Sequence, residues 1–278
     1  MIVLTAACQS QAAASLTPAA TASPGATSPT ASPTVTSLPT LTPSPSPSPT
    51  PVPTLFPLPT LDQQATLAPC DQRRPAADDL FTEVSDNYGL DPNYVPGDLV
   101  KLGNYLPGRV TLPDMLLRQP AAQALGKMVK AMLADGLAPT VLSSYRSYFD
   151  QVVAHNRWVV EDPANANDVS ALPGHSEHQL GTAVDFGSPE MPSLTGSTTD
   201  PFSPLFDRTS EGKWLALHAF EFGFSMSSPP GAETLTGLAY EPWHYRYVGV
   251  EMATYLHASG YFLNEFLLKV RPVMPCQP

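Results

Sequence analysis

The chain has 278 residues, a formal net charge of −11, 33 prolines and 3 cysteines. Its length suggests one or two domains. Because 25 acidic residues stand against 14 basic ones, the composition argues against a nucleic-acid partner. No apolar run approaches the roughly 18 residues that a membrane-spanning helix needs.

The prolines are unevenly distributed. Fourteen of the 33 lie in residues 1–69, a stretch with a single charged residue, Asp62. The other 38 of the 39 charged residues lie in 70–278. We therefore expect residues 70–278 to form one domain with its own core, preceded by a low-complexity segment.

The first eight residues run from apolar to small side chains and end in Cys8. This pattern resembles the end of a bacterial lipoprotein signal, in which the cysteine becomes the lipidated N-terminus. The resemblance implies a lipid anchor at Cys8, and a protein exported to the outer face of the membrane or to the cell wall. The apolar stretch is shorter than a whole signal, and the alternative is a free thiol.

Residues 9–69 consist mainly of Pro, Thr, Ser and Ala. Such a composition cannot bury enough apolar surface to offset the entropy of ordering, so it predicts an unfolded segment. Prolines favour extended polyproline II at about 3.1 Å per residue, which gives a reach on the order of 150–190 Å. We interpret the segment as a tether, and the alternative is a disordered terminus without that role.

Cys70 and Cys276 bracket the predicted domain from end to end. In an exported protein this placement favours a disulfide that joins the ends of the domain. Closing a loop of roughly 200 residues contributes about 5 kcal/mol in the chain-entropy model. The alternative is a pair of free cysteines.

The first half of the predicted domain contains two helices and a strand. Pro120 and Gly136 bound a predicted helix over 120–135. Its apolar side chains recur at helical spacing, which indicates a core face. A short strand is predicted over 140–143, and Ser147 is expected to cap the helix that follows.

The second half continues the alternation of helices and strands. Ser210 is expected to cap a helix that ends at Gly223. Three of its side chains are predicted to face inward: Trp214, Leu217 and Phe220. Residues 240–247 are predicted to be extended, and a helix is expected over about 250–257. This order favours an α+β domain.

Two separated pairs of polar residues, His178 with Asp185 and Glu241 with His244, suggest a metal site. A catalytic zinc needs three N or O ligands from the protein and one open position. His178 and Asp185 are seven residues apart, and Gly181 between them permits a bend that could bring both side chains to one centre. His244 could supply the third ligand.

Glu241 lies three residues before His244, with Pro242 between them. Proline favours an extended conformation of the preceding residue, so we expect this pair at a strand end or in a turn. A carboxylate near a metal-activated water can take its proton. Arg146, in a Ser-Tyr-Arg-Ser segment, could stabilise an oxyanion on an attacked carbonyl.

The remaining histidines are interpreted differently. His155, His218 and His257 lie within predicted helices and outside any motif, so we expect structural or surface roles for them. His175 lies three residues before His178, and its role stays open.

Three segments together resemble the VanY-type D-alanyl-D-alanine carboxypeptidases, zinc peptidases of the LAS group. The pattern Ser-x-His-x-x-Gly-x-Ala-x-Asp is matched by Ser176–Asp185, and Glu-x-x-His by Glu241–His244. The Ser-Tyr-Arg-Ser segment is matched at Ser144–Ser147. The similarity covers about 93–249. It implies an α+β fold of LAS or hedgehog-like type, with a small central antiparallel sheet and flanking helices.

The resemblance also implies roles for single residues. The zinc ligands would be His178, Asp185 and His244. Glu241 would be the general base that later passes a proton to the leaving amine, and Arg146 would stabilise the tetrahedral intermediate. Gln151 and Ser176 match positions that line the substrate site.

The implied activity is zinc-dependent hydrolysis of the C-terminal D-amino acid from peptidoglycan stem peptides. An L,D-carboxypeptidase or a peptidoglycan endopeptidase of the same family is an alternative with the same motifs. A cell-wall-binding lipoprotein without activity is an alternative of another class, although the full residue set argues against it. A self-contained domain on a long tether favours a monomer.

Overall fold

The computed structural model describes residues 77–199 and 201–270, with side chains to residue 267. The predicted signal remnant, the tether and the three cysteines, Cys8, Cys70 and Cys276, lie outside these residues. The lipid anchor and the disulfide therefore stay predictions. In the part of the chain that is described, no helix is long and apolar enough to cross a bilayer.

Helices make up much of the described chain. The α-helices are α1 (Gln119–Ala134), α2 (Tyr148–Glu161), α3 (Ala166–Val169), α4 (Met191–Thr195), α5 (Ser210–His218), α6 (Glu233–Thr236), α7 (Val250–Ser259) and α8 (Leu263–Val270). Short 3₁₀ helices are Leu102–Asn104, Glu177–Leu180, Pro204–Arg208 and Ala219–Phe222.

The strands of the described residues form two antiparallel sheets. They are β1 (Leu99–Lys101), β2 (Leu116–Arg118), β3 (Thr140–Ser143), β4 (Ala183–Gly187), β5 (Phe224–Met226) and β6 (His244–Tyr247). A two-stranded sheet pairs β1 with β2, and a four-stranded sheet has the order β3-β4-β6-β5. The predicted α+β class, with a small antiparallel sheet and flanking helices, is confirmed.

The two faces of the central sheet have different environments because side chains alternate along a strand. On β4, Val184 and Phe186 belong to the main hydrophobic core, whereas Asp185 between them does not. On β6, Tyr245 is in the same core, so His244 and Arg246 share the opposite face. Helix α1 contributes its predicted apolar stripe to the core.

Two predicted helix starts hold to within one residue. A reciprocal pair of hydrogen bonds between Ser147 and Asp150 caps α2 as predicted. The cap of α5 is Thr209, one residue before the predicted Ser210, because the Thr209 hydroxyl accepts a bond from the Gly212 amide.

The prediction that Leu217 faces inward is wrong, since this side chain is 63% exposed. The buried face of α5 instead carries Glu211, Gly212 and Leu215. Because a charged residue, Glu211, lies on the buried face, the hydrophobic pattern of the sequence does not identify that face. Trp214 and Phe220 are half-buried.

Only the second half of the predicted 240–247 strand is a strand. Pro242 and Trp243 form a turn, closed by a hydrogen bond from the His244 amide to the Glu241 carbonyl. Proline has no N–H to donate to a strand ladder, which explains why β6 begins only at His244.

Candidate metal centre and active site

A short 3₁₀ helix and the turn that follows it position His178 next to strand β4. Ser176 caps the 3₁₀ helix Glu177–Leu180, and its hydroxyl accepts from the His178 amide. The helix ends at Gly181 in the left-handed conformation, with φ of 67°. A Cβ at Gly181 would also lie 2.9 Å from the Leu99 side chain, so glycine is required twice over.

Strand register brings Asp185 and His244 together. They are direct partners in the β4–β6 ladder, and His244 Nδ1 lies 2.8 Å from Asp185 Oδ1. The other carboxylate oxygen, Oδ2, lies 3.1 Å from His178 Nε2. One ligand atom from each of these three buried residues lies within 4.8 Å of the other two.

The three residues form a donor set that fits zinc. Two imidazole nitrogens and one carboxylate oxygen are N and O ligands of the kind a catalytic zinc uses, and three protein ligands leave a position open. His178 Nδ1 donates to the Ser144 carbonyl at 2.7 Å. Because Nδ1 is used in this bond, Nε2, which lies next to Asp185, is the nitrogen that can bind a metal.

Burial and neighbouring charges shift the pKa values of these residues in opposite directions. Burial lowers the pKa of His178, and the neighbouring Asp185 only partly offsets this effect. Burial alone would raise the pKa of Asp185, but His178 and His244 hold it well below its usual range. Asp185 is therefore ionised at neutral pH, and the cluster offers an anionic oxygen to a cation.

Glu241 is a buried acid beside this cluster, only 9% exposed. Its backbone amide donates to the Ser228 carbonyl, which fixes the turn that carries it. Burial raises the pKa of Glu241 to about 7, against the attraction of His244. A carboxyl with a pKa near the working pH suits proton transfer in both directions.

The same shift predicts a stability gain for Glu241→Gln in the metal-free protein. Between pH 4.5 and about 7 the folded state holds a proton that the unfolded state has lost, so wild-type stability falls as pH rises through this window. Glutamine has no proton to lose, and at pH 8 it should add about 3 kcal/mol to the free energy of unfolding.

Thermal melting of both metal-free proteins at pH 4.5 and pH 8 would measure this effect. The melting temperature of the variant should exceed that of wild type at pH 8, and the two should nearly coincide at pH 4.5. A difference of equal size at both pH values would contradict the raised pKa of Glu241.

Arg146 is a further charged side chain of this site. Its Nε is buried and has no hydrogen-bond partner among the described residues. Burial lowers the pKa of Arg146, while Asp185 and Glu241 favour its charged form. A buried guanidinium N–H without a partner is costly, and an anionic group of a ligand would satisfy it.

A single pocket brings together most of the predicted site residues. Its walls include Arg146, Ser176, His178, Asp185, Glu241 and His244. Gln151 is absent from the described lining. Its amide donates to the Ser170 hydroxyl and the Ala171 carbonyl, and those two residues line the pocket. The substrate contact of Gln151 stays a prediction.

The other histidines lie outside the His178, Asp185 and His244 cluster. His175 lines the pocket, and its Nδ1 lies 2.7 Å from the Ser85 carbonyl. His155 is buried against the Ser170 carbonyl. His218 lies beside Glu221, and His257 stacks on Phe220.

Two charged residues of the site were not predicted from the sequence. Glu177 lies 3.0 Å from His244 Nε2, and Arg246 lies 2.9 Å from the other oxygen of Glu177. Two sequence features could have pointed to them: Glu177 stands directly before His178, and Arg246 shares a face of β6 with His244.

The fold and this site together define a metallopeptidase. Residues 114–250 match the VanY family model, described as D-alanyl-D-alanine carboxypeptidase. The Bacillus subtilis (strain 168) protein named "Putative carboxypeptidase YodJ" is 32% identical over 197 residues, which is 70% of each chain. The chain belongs to the VanY family of carboxypeptidases, so the predicted family and enzyme class are confirmed.

Solved structures with this fold include two carboxypeptidase-type relatives. The LD-carboxypeptidase LdcB is 32% identical with a TM-score of 0.59, over 69% of this chain and 87% of that one. A VanB-type D,D-pentapeptidase VanY, solved as a glutamate-to-alanine mutant in complex with Zn(II), is 31% identical with a TM-score of 0.54. That match covers 67% of this chain and 98% of the relative.

Proposed function

We propose that this protein is a zinc-dependent D,D-carboxypeptidase that removes the C-terminal D-amino acid from peptidoglycan stem peptides. One observation carries the proposal: a buried acid with a raised pKa, Glu241, and the unpaired Nε of Arg146 share a pocket with a metal-binding cluster. Hydrolysis of a peptide bond requires a group that transfers protons and a group that stabilises the oxyanion.

We assign the zinc to three residues of the cluster. The ligand atoms are His178 Nε2, an Asp185 carboxylate oxygen and His244 Nδ1. When bound, zinc supplies a Lewis acid that polarises a carbonyl and lowers the pKa of water toward 7. The complex of the VanY relative with Zn(II) supports the choice of metal.

Glu241 and Arg146 carry out the proton and charge chemistry. Glu241 takes a proton from the water that attacks the scissile carbonyl, and then gives it to the leaving amine. Burial raises the pKa of Glu241, and the positive charge of a bound zinc would lower it again, so this carboxyl group can both accept and return a proton near neutral pH. Arg146 donates hydrogen bonds to the oxyanion that forms on the carbonyl. Ser176 lines the same pocket, and its hydroxyl accepts a hydrogen bond from the His178 amide; its contact with the substrate stays a prediction.

The choice of scissile bond has two candidates. The relative named as a D,D-pentapeptidase supports cleavage between two D-residues. The similarity to LdcB, named as an LD-carboxypeptidase, favours cleavage after an L-centre as a second candidate. LdcB and the Bacillus subtilis relative are both named carboxypeptidases, so an endopeptidase activity has less support.

Mass spectrometry of purified stem peptides after incubation would test the proposal. We expect the pentapeptide to lose one D-alanine and the tetrapeptide to remain, with no cleavage in the presence of a chelator. Conversion of the tetrapeptide to the tripeptide alone would establish the L,D alternative. A zinc-loaded protein that binds the stems and cleaves none would support the wall-binding alternative and overturn the proposal.

We also propose that the enzyme works outside the cell as a monomer, anchored through Cys8. The support is the sequence of residues 1–69 alone, with its terminal cysteine pattern and its proline-rich composition. Membrane fractionation of cells that express wild type or Cys8→Ala would test the anchor. An unchanged membrane fraction for the variant would contradict it.

A further inference from the structure

The Nε2 atom of His244 faces the buried carboxylate of Glu177. The Nδ1 atom of the same ring is directed at Asp185, whereas Nε2 lies 3.0 Å from Glu177 Oε2. Glu177 is nearly as buried as the histidine, with side-chain exposures of 10% and 7%. The ring is therefore held from both sides.

A buried arginine fixes Glu177 in turn. Arg246 Nη1 lies 2.9 Å from Glu177 Oε1, so each carboxylate oxygen accepts from a different donor. Arg246 Nη2 donates to the backbone carbonyls of Leu80 and Thr82. Arg246 is only 1% exposed, and few alternative conformations are open to a side chain bound in this way.

His244 and Arg246 reach Glu177 because they share one face of β6. The two residues are separated by Tyr245, whose side chain is buried in the core on the other face. Glu177 comes from the 3₁₀ helix that also carries His178. The Glu177 carboxylate therefore links the two segments that supply the histidines of the cluster.

This arrangement determines which nitrogen of His244 can bind a cation. A neutral imidazole carries one proton, and a metal requires the nitrogen without it. In the metal-free protein both ring nitrogens face carboxylates, with Nδ1 2.8 Å from Asp185 Oδ1, so both carry a proton. Glu177 keeps the proton on Nε2, and the Nδ1 proton is therefore the one that a cation replaces. For His178 the Ser144 carbonyl has the same effect with the nitrogens exchanged.

We infer that Glu177 is a positioning residue for the metal centre, which accepts the Nε2 proton of His244 and is itself held in place by Arg246. The inference rests on the proposed assignment of His244 as a zinc ligand. Neither Glu177 nor Arg246 touches the reacting bond in this view. They raise the affinity for zinc by fixing the ring orientation and the tautomer of one ligand.

Glu177→Gln provides a sharp test, because glutamine has nearly the same size but only one acceptor atom. Arg246 Nη1 and His244 Nε2 both donate to the carboxylate, and the single glutamine oxygen can satisfy only one of them. We expect the dissociation constant for zinc to rise about 10- to 100-fold, measured by chelator competition on the metal-free protein. The visible spectrum of the Co(II) form should also change, which a purely structural role would not cause.

Glu211→Gln is the matched control. Glu211 is also a buried acid, 2% exposed, that accepts from the Ala138 amide and the Ser188 hydroxyl and lies outside the described pocket lining. Its replacement should lower the melting temperature without changing the affinity for zinc.

Glu177→Asp tests the same point if the glutamine variant folds poorly. Its carboxylate keeps the charge but is one methylene shorter, so it cannot reach both donors, and zinc affinity should fall again. Wild-type affinity in a folded Glu177 variant would overturn the inference while leaving the proposed function intact. Failure of the wild-type protein to bind zinc would instead overturn the proposed function.

Discussion

Glu241→Gln is expected to lower kcat by about 10²- to 10⁴-fold, the usual contribution of general acid–base catalysis. Glutamine keeps the size of the side chain but cannot accept or return a proton. The zinc content should stay at the wild-type level because Glu241 is not a member of the metal cluster. KM should change little, since the substitution removes an interaction needed in the transition state.

Three measurements on the same preparations separate this role from a structural one. Steady-state hydrolysis of a pentapeptide stem gives kcat and KM, elemental analysis gives the zinc content, and thermal melting reports the fold. Glu211→Gln, which removes a buried acid away from the pocket, should keep kcat within a few-fold of wild type. Turnover close to wild type in a zinc-loaded Glu241→Gln protein would show that another group takes the proton.

Much of the fold could be predicted because local chemistry determines it. The capping box at Ser147 places the start of α2. Periodic apolar residues identify the core face of α1. Leu217 was mispredicted because its helix buries an acid, Glu211, which bonds to the Ala138 amide and the Ser188 hydroxyl. No periodicity in a sequence reveals such partners.

The metal cluster was predictable for a related reason. Gly181 in the left-handed conformation supplies the bend that the spacing of His178 and Asp185 required. Pro242 keeps Glu241 out of the strand, in agreement with the expected position at a strand end. Spacing alone could not show that Asp185 and His244 are register partners.

Glu177 and Arg246 show where sequence reasoning ends. Each lies close to a predicted ligand in the chain, Glu177 directly before His178 and Arg246 two residues after His244, but a charged residue is ordinarily interpreted as surface-exposed. Their burial becomes visible only when β6 meets the 3₁₀ helix, which brings residues 69 positions apart to within 2.9 Å. Long-range pairing of charges is a property of the fold and has no local signature.

His178→Ala is expected to reduce the zinc content from about one ion per chain to almost none, because two protein ligands do not make a stable catalytic site. It should also remove the stabilisation that zinc provides. A ligand at about 1,000 times its dissociation constant adds about 4 kcal/mol to the free energy of unfolding. Zinc should therefore raise the melting temperature of wild type by several degrees and leave that of the variant unchanged.

His155→Ala is the matched control, because it removes another buried histidine whose Nδ1 also lies near a backbone carbonyl, that of Ser170, at 2.9 Å. Its melting temperature should fall, yet zinc should still raise it, since His155 is not in the cluster. Elemental analysis after dialysis and melting with and without zinc measure both effects independently of hydrolysis. Full zinc occupancy in His178→Ala would show that this histidine is not a ligand. The roles of Glu241 and Arg146 would then have to be reassigned, because both were argued from a zinc held by His178, Asp185 and His244.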